Sequence, residues 1–267
     1  MIVVALMANA VVTFGRSSIK NWRDGILACG AATFLLFHGS PILAIVAAAA
    51  VAALLYRGAN PPMKAGQAGH RSGPTLRLVL AAVIAGGAAL AALFVTNRQM
   101  FDLTTVMVKV DLFAFGGGFA SVPVMLHQVV DVRNWVDSRT FMDGIALGQI
   151  TPGPIVITAT FVGYQIASLP GAIVGTVAIF LPSFLMVSLT VPYFDRLQHS
   201  VLFRRALRGV LASFVGLLLA VTVHFATAAS WTFPSILLAA AAFVALRFKI
   251  DVLWVVLVGA GASVLVL

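Results

Sequence analysis

Apolar residues run almost unbroken along most of this chain, and the polar positions fall in short clusters between the runs. A helix that crosses a bilayer needs about 20 largely apolar residues, roughly 30 Å at 1.5 Å per residue. Runs of this kind are residues 76–95, 170–194, 209–229, 233–246 and 252–267. Residues 2–14, 25–37 and 41–56 give shorter runs, the last two parted only by His38-Gly39-Ser40, which predicts a tight turn between paired helices. Two further runs are interrupted. Residues 103–130 are broken by Gly116-Gly117-Gly118 and Pro123, and residues 145–167 by Thr151-Pro152-Gly153-Pro154. The runs are rich in Ala and Leu and lack an alternation of period two, which argues against a closed β-barrel. The pattern predicts an all-α polytopic integral membrane protein of about eight to ten membrane segments, two of them broken or re-entrant.

Composition sharpens this. The chain has 267 residues, 61% of them hydrophobic and only 9% charged, with a mean hydropathy of +1.06. A soluble domain carries about a quarter charged residues, so soluble enzymes, nucleic-acid binders and disordered proteins are poor readings. All eight acidic residues are Asp, and the one cysteine, Cys29, excludes a disulfide scaffold or a cysteine-based metal site. The five histidines show no ligand spacing. No nucleophile motif, phosphate loop or metal cluster is present, so neither an enzyme nor a cofactor is expected.

The net charge of +9 reads as topology, since Lys and Arg concentrate in cytoplasmic loops. Residues 57–75, with prolines, glycines and cations, predict a basic cytoplasmic linker between residues 1–56 and 76–267. Residues 2–14 have a signal-like length without a basic region before them, so a truncated first helix is expected. A displacement of 210 residues lays Trp22 on Thr232 and Pro41 on Asp251 with matching hydropathy. The loop with Arg16, Lys20 and Arg23 then matches an uncharged one, while His38-Gly39-Ser40 matches a loop with Arg247 and Lys249. Equivalent loops on opposite faces are the pattern of an inverted-repeat transporter. Between Arg98 and Asp195 the chain must cross an odd number of times. Three crossings satisfy this, and so do two re-entrant hairpins followed by one crossing.

Broken helices at membrane depth line protein or a watery cavity. Each break exposes a helix N-terminus whose free N–H groups and positive dipole end favour an anion. Gly116, Gly117, Gly118 and Ser121 at the first break, and Thr151, Pro152, Gly153, Pro154 and Thr158 at the second, are the expected substrate-binding positions. Lys109 lies in the apolar run two turns before the glycines and supplies a cation there. Asp111, Asp143 and Gln149 are candidates for coupling or gating, Asp111 by limiting the charge of Lys109. Asp131, Arg133, Asp137 and Arg139 around Trp135 read as an interfacial loop with an aromatic anchor.

These residues resemble the chromate ion transporter (CHR) family of bacterial oxyanion carriers. The likeness rests on Phe115-Gly116-Gly117-Gly118-Phe119-Ala120-Ser121-Val122-Pro123, on Trp135, Phe141 and Asp143, and on Gln149-Ile150-Thr151-Pro152-Gly153-Pro154-Ile155-Val156-Ile157-Thr158. Gly163-Tyr164 and Leu181-Pro182-Ser183-Phe184 extend it. The resemblance implies a multi-pass protein of the bacterial inner membrane that exports chromate or a sulfate-like oxyanion by alternating access and confers chromate resistance. Long members hold two homologous halves, each with both breaks. One copy of each break here implies the C-terminal half plus a remnant of the N-terminal half in residues 1–56. The expected partners are the oxyanion, the lipid bilayer and a complementary half or a second copy, with no nucleic acid. The alternative is a non-transporting remnant or assembly subunit that needs that half.

Overall fold

The computed structural model describes residues 1–56, 76–114, 118–151, 153–190, 200–229, 231–248 and 250–266. The basic linker 57–75, Gly116, Gly117 and Pro152 lie outside these. Every regular element among the described residues is helical. They are α1 (Ile2–Ser18), α2 (Trp22–Leu36), α3 (Pro41–Leu55), α4 (Leu76–Thr96), α5 (Arg98–Leu112), α6 (Ser121–Leu126), α7 (Ser138–Ile150), α8 (Thr158–Thr190), α9 (Val201–Ala228), α10 (Phe233–Arg247) and α11 (Val252–Val266). A 3-10 turn, Gly118–Ala120, leads into α6, a π-helical turn, His127–Val132, follows it, and a second 3-10 turn, Ile155–Ile157, leads into α8. By length and apolarity, two helical stretches suffice to cross a bilayer, Ile155–Ser188 and Val201–Ala228. Six more apolar helices are shorter.

α9 is the central post. Gly216 lies against the backbone of Ala28 and Ala32, and Gly209 against Ala48 and Ala52, so α2 and α3 approach α9 without side chains between them. A buried ion pair fixes this contact at one end. Arg208 donates from Nε and Nη2 to the two oxygens of Asp24 at 2.9 and 2.8 Å. The Lys20 and Asn21 N–H groups donate to the same carboxylate at 3.0 Å, and the Tyr56 hydroxyl donates to it as well. Asp24 is fully buried, so these donors replace the hydration that burial removes.

The helices of two pairs, α2 with α3 and α10 with α11, have equal lengths, 15 residues each. Both α2 and α10 begin with a capping box, Asn21 with Asp24 and Thr232 with Ser235. α2 runs alongside α9 in the same direction, Asp24 beside Arg208 and Ala28 beside Gly216. α10 turns back from the far end of α9, where the Trp231 indole donates to the Ala226 carbonyl at 2.6 Å.

The interrupted runs fold as hairpins. Gly144 faces Phe161 and Gly148 faces Ile157 and Thr158, so α7 and residues 155–166 run antiparallel with the reversal at 151–154. A second reversal follows at Ala167 and Ser168, the latter at φ 50°, ψ −142°. Beyond it the chain returns antiparallel. Gly163 and Gly171 meet backbone to backbone, and the Thr160 and Thr176 hydroxyls share a hydrogen bond of 2.7 Å. Only residues without a Cβ allow that approach. The other interrupted run is built alike: α5 leads in, residues 118–132 lead out, and Arg133 pairs with Asp102 at 3.2 Å where the arms begin and end. One long arm, residues 169–190, follows the two hairpins. Arms of 13 to 15 residues span roughly 20 Å at 1.5 Å per residue, short of a 30 Å hydrocarbon core.

Candidate functional site

Both hairpins start from the same end of the bundle, because only residues 133–137 join them. Asp137 caps α7 there, accepting the Thr140 N–H at 2.7 Å, and Thr140 holds its carboxyl below the usual range. The Arg133 guanidinium lies 4.9 Å from the Trp135 ring, the aromatic anchor expected from sequence. Their tips meet inside. A Cβ on Gly118 would stand 2.8 Å from Ile155 Cγ2, so the first hairpin's return arm begins in contact with the second's.

The two return arms begin in the same way. A 3-10 turn comes first, and the next residue donates its hydroxyl back three positions, Ser121 to the Gly118 carbonyl at 2.6 Å and Thr158 to the Ile155 carbonyl at 2.8 Å. Both hydroxyls are buried. Ser121 and Thr158 therefore engage the first carbonyl of each turn. Pro154 stands one position before the turn with extended backbone, as the cap and not the first helical residue. Thr151 and Gly153 are exposed at the tip, with the Thr151 hydroxyl on the Leu147 carbonyl at 3.1 Å. Two helix N-termini with their positive dipole ends thus converge at Gly118 and Ile155.

Lys109 lies in the last turn of α5, partly buried and without an ion-pair partner among the described residues. The last carbonyls of α5 are compatible neighbours for its charge. Asp111 does not serve it. Its two oxygens accept the Ser183 N–H at 2.6 Å and the Ser183 hydroxyl at 2.7 Å. Ser183 follows Pro182, whose ring disturbs the helical ladder, so Asp111 ties α5 to the long arm of α8. Asp143 is exposed on α7 while its neighbours Met142 and Gly144 are buried, and Gln149 is half-buried beside the break. The tips bring Gly118 against Ile155, with Ser121 and Thr158 three positions on from each, while Gly153 and Pro154 are exposed just before the second turn. The tips leave Asp143 outside. Residue spacing could not identify Ser183 as the partner of Asp111, 72 positions away, nor Ile155 as the neighbour of Gly118.

A mostly apolar bundle of helices, broken where two hairpin tips meet, has the character of a membrane protein. The chain belongs to the chromate transporter family: the family model described as "Chromate transporter" matches residues 101–264. An uncharacterised transporter of Methanocaldococcus jannaschii is 40% identical over all of this chain and 66% of its own length. The chromate transport protein of Cupriavidus metallidurans is 36% identical over 59% of this chain and 39% of its own. That of Pseudomonas aeruginosa is 34% identical over 64% of this chain and 38% of its own. The chain thus spans two-thirds or less of the length of these relatives. No solved structure matches it.

Proposed function

We propose that this chain moves chromate or a related divalent oxyanion across the membrane by alternating access, with the junction of the hairpin tips as the binding site. The observation that carries this reading is the contact of Gly118 with Ile155, which brings two helix N-termini to one point in an apolar bundle. Lys109 supplies the formal charge, and the paired N–H groups supply directed donors that suit a tetrahedral anion. Such half-helix N-termini are a recurring way for transporters to hold anionic groups. Two relatives are named for chromate transport, which supports the choice of substrate class. Similarity to a transporter over the whole chain favours this role above that of an accessory remnant.

In this reading the Arg208 end is cytoplasmic, because Lys20, Arg23, Arg204 and Arg205 share it, and the hairpins enter from outside. The α2–α3 and α10–α11 pairs are then inverted equivalents, and the protein resides in the inner membrane and exports its anion to give resistance. The test is uptake of labelled chromate by inside-out vesicles or proteoliposomes holding the full chain. Lys109→Ala and Gly118→Val are expected to lower uptake tenfold or more while leaving the helical content unchanged, since each removes charge or closure at the junction. Uptake equal to the parent chain in both variants overturns the reading.

A further inference from the structure

The end of the bundle from which the hairpins start holds a cavity of about 260 Å³ outside the tip junction. Three separate elements bring a histidine to it: His38 from the turn after α2, His127 from the π-helical turn and His224 from α9. Asp131, on the same turn as His127, is the fourth ionisable group lining it, with Oδ2 3.4 Å from His127 Nδ1. His224 Nε2 lies 3.0 Å from the Ser138 hydroxyl at the start of α7. Pro123 and Leu126 continue the wall along the return arm towards Gly118. π-helical turns break the regular ladder and gather at functional sites.

We propose that this cavity is a second oxyanion site, an antechamber to the hairpin tips that opens to anions only when its histidines are protonated. Histidine is the side chain whose charge changes between pH 5 and 8. With three neutral imidazoles the cavity carries the −1 of Asp131 and repels an anion, and with three imidazolium rings it carries +2. Among the described residues no other charged side chain lines it: from α2 and its turn His38 faces it, from the return arm His127 and Asp131, and from α9 His224. Three imidazolium rings from three elements offer N–H donors to a sulfate-sized dianion beyond those engaged by Asp131 and Ser138, and the volume accommodates one with a little water. The inference rests on the transport reading for its place on the substrate's route, but not for the binding itself.

The experiment is calorimetric titration of the purified full chain with sulfate, which unlike chromate keeps both charges between pH 5.5 and 7.5. Binding is expected to be about tenfold tighter at pH 5.5, the effect of gaining unit charges beside a screened anion. The double substitution His127→Gln with His224→Gln should cut that difference well below the parent's, since it removes two of the three imidazoles. His38→Arg, at an exposed position, fixes one positive charge and should bind sulfate more tightly than the parent chain at pH 7.5, which decides the matter if the double variant fails to fold. Sulfate affinity indifferent to pH, or a His38→Arg chain that binds no more tightly than the parent at pH 7.5, overturns the proposal. A chain that binds sulfate in this pH-dependent way but takes up no chromate overturns the transport reading and leaves the antechamber standing.

Discussion

The two ends of the bundle are held together by opposite means. At the Arg208 end a fully buried carboxylate takes hydrogen bonds from a guanidinium, a phenol and two backbone N–H groups, with Arg208 also lying 4.4 Å from the Tyr56 ring. At the other end the ion pair of Asp102 and Arg133 is partly open to solvent, with its side chains 44% and 30% exposed. Buried, fully partnered charges have one good arrangement, while exposed ones have many of similar energy. One end is thus a fixed joint, and the hairpin end is the part free to rearrange.

That contrast can be broken from either side. Asp24→Ala strands Arg208 in a dry site and should cost about 3–5 kcal/mol, read as a large loss of thermal stability in detergent. If Asp24→Ala melts like the parent chain, the Arg208 end is no fixed joint. Between the ends, Gly171→Ala forces apart the two arms of α8 and should destabilise by about 1–3 kcal/mol. Its melting temperature should fall clearly less than that of Asp24→Ala. At Ser168 the left-handed backbone favours glycine, so Ser168→Gly should be stabilising by about 1 kcal/mol, seen as a small upward shift in the same scan. Arg133→Ala should change stability least, by under about 1 kcal/mol, with the difference vanishing in high salt. A loss as large as that of Asp24→Ala would place a second fixed joint at the hairpin end.

Much of this was legible in the sequence because it depends on neighbours along the chain. The apolar runs 25–37 and 41–56, parted by His38-Gly39-Ser40, become α2 and α3, and the chain reverses between α7, which ends at Ile150, and the arm that begins at Ile155. Hydropathy reports that a segment is apolar, not which way it runs. It therefore left the direction of successive arms open, and the backbone contacts at Gly144, Gly148 and Gly163 show neighbouring arms running antiparallel. Nearness in sequence offers Asp111 as a limit on the charge of Lys109 without pairing the two, since helical positions two apart diverge, and Asp111 reaches Ser183 instead. Asp24 and Arg208 are 184 positions apart, and His38, His127 and His224 come from three elements, so no local pattern announced either group.

The short arms of the hairpins have an electrical consequence. A membrane potential falls across the driest layer of a protein, and each unit charge moved through all of it involves about 2.3 kcal/mol per 100 mV. In the proposed orientation the tips hang partway through the bilayer, with water able to follow the hairpins inward from one side. An anion passing between that side and the tips then does little electrical work, and nearly all of the voltage acts on the remaining distance to the Arg208 end. The step that senses voltage would be the one between the tips and the basic face.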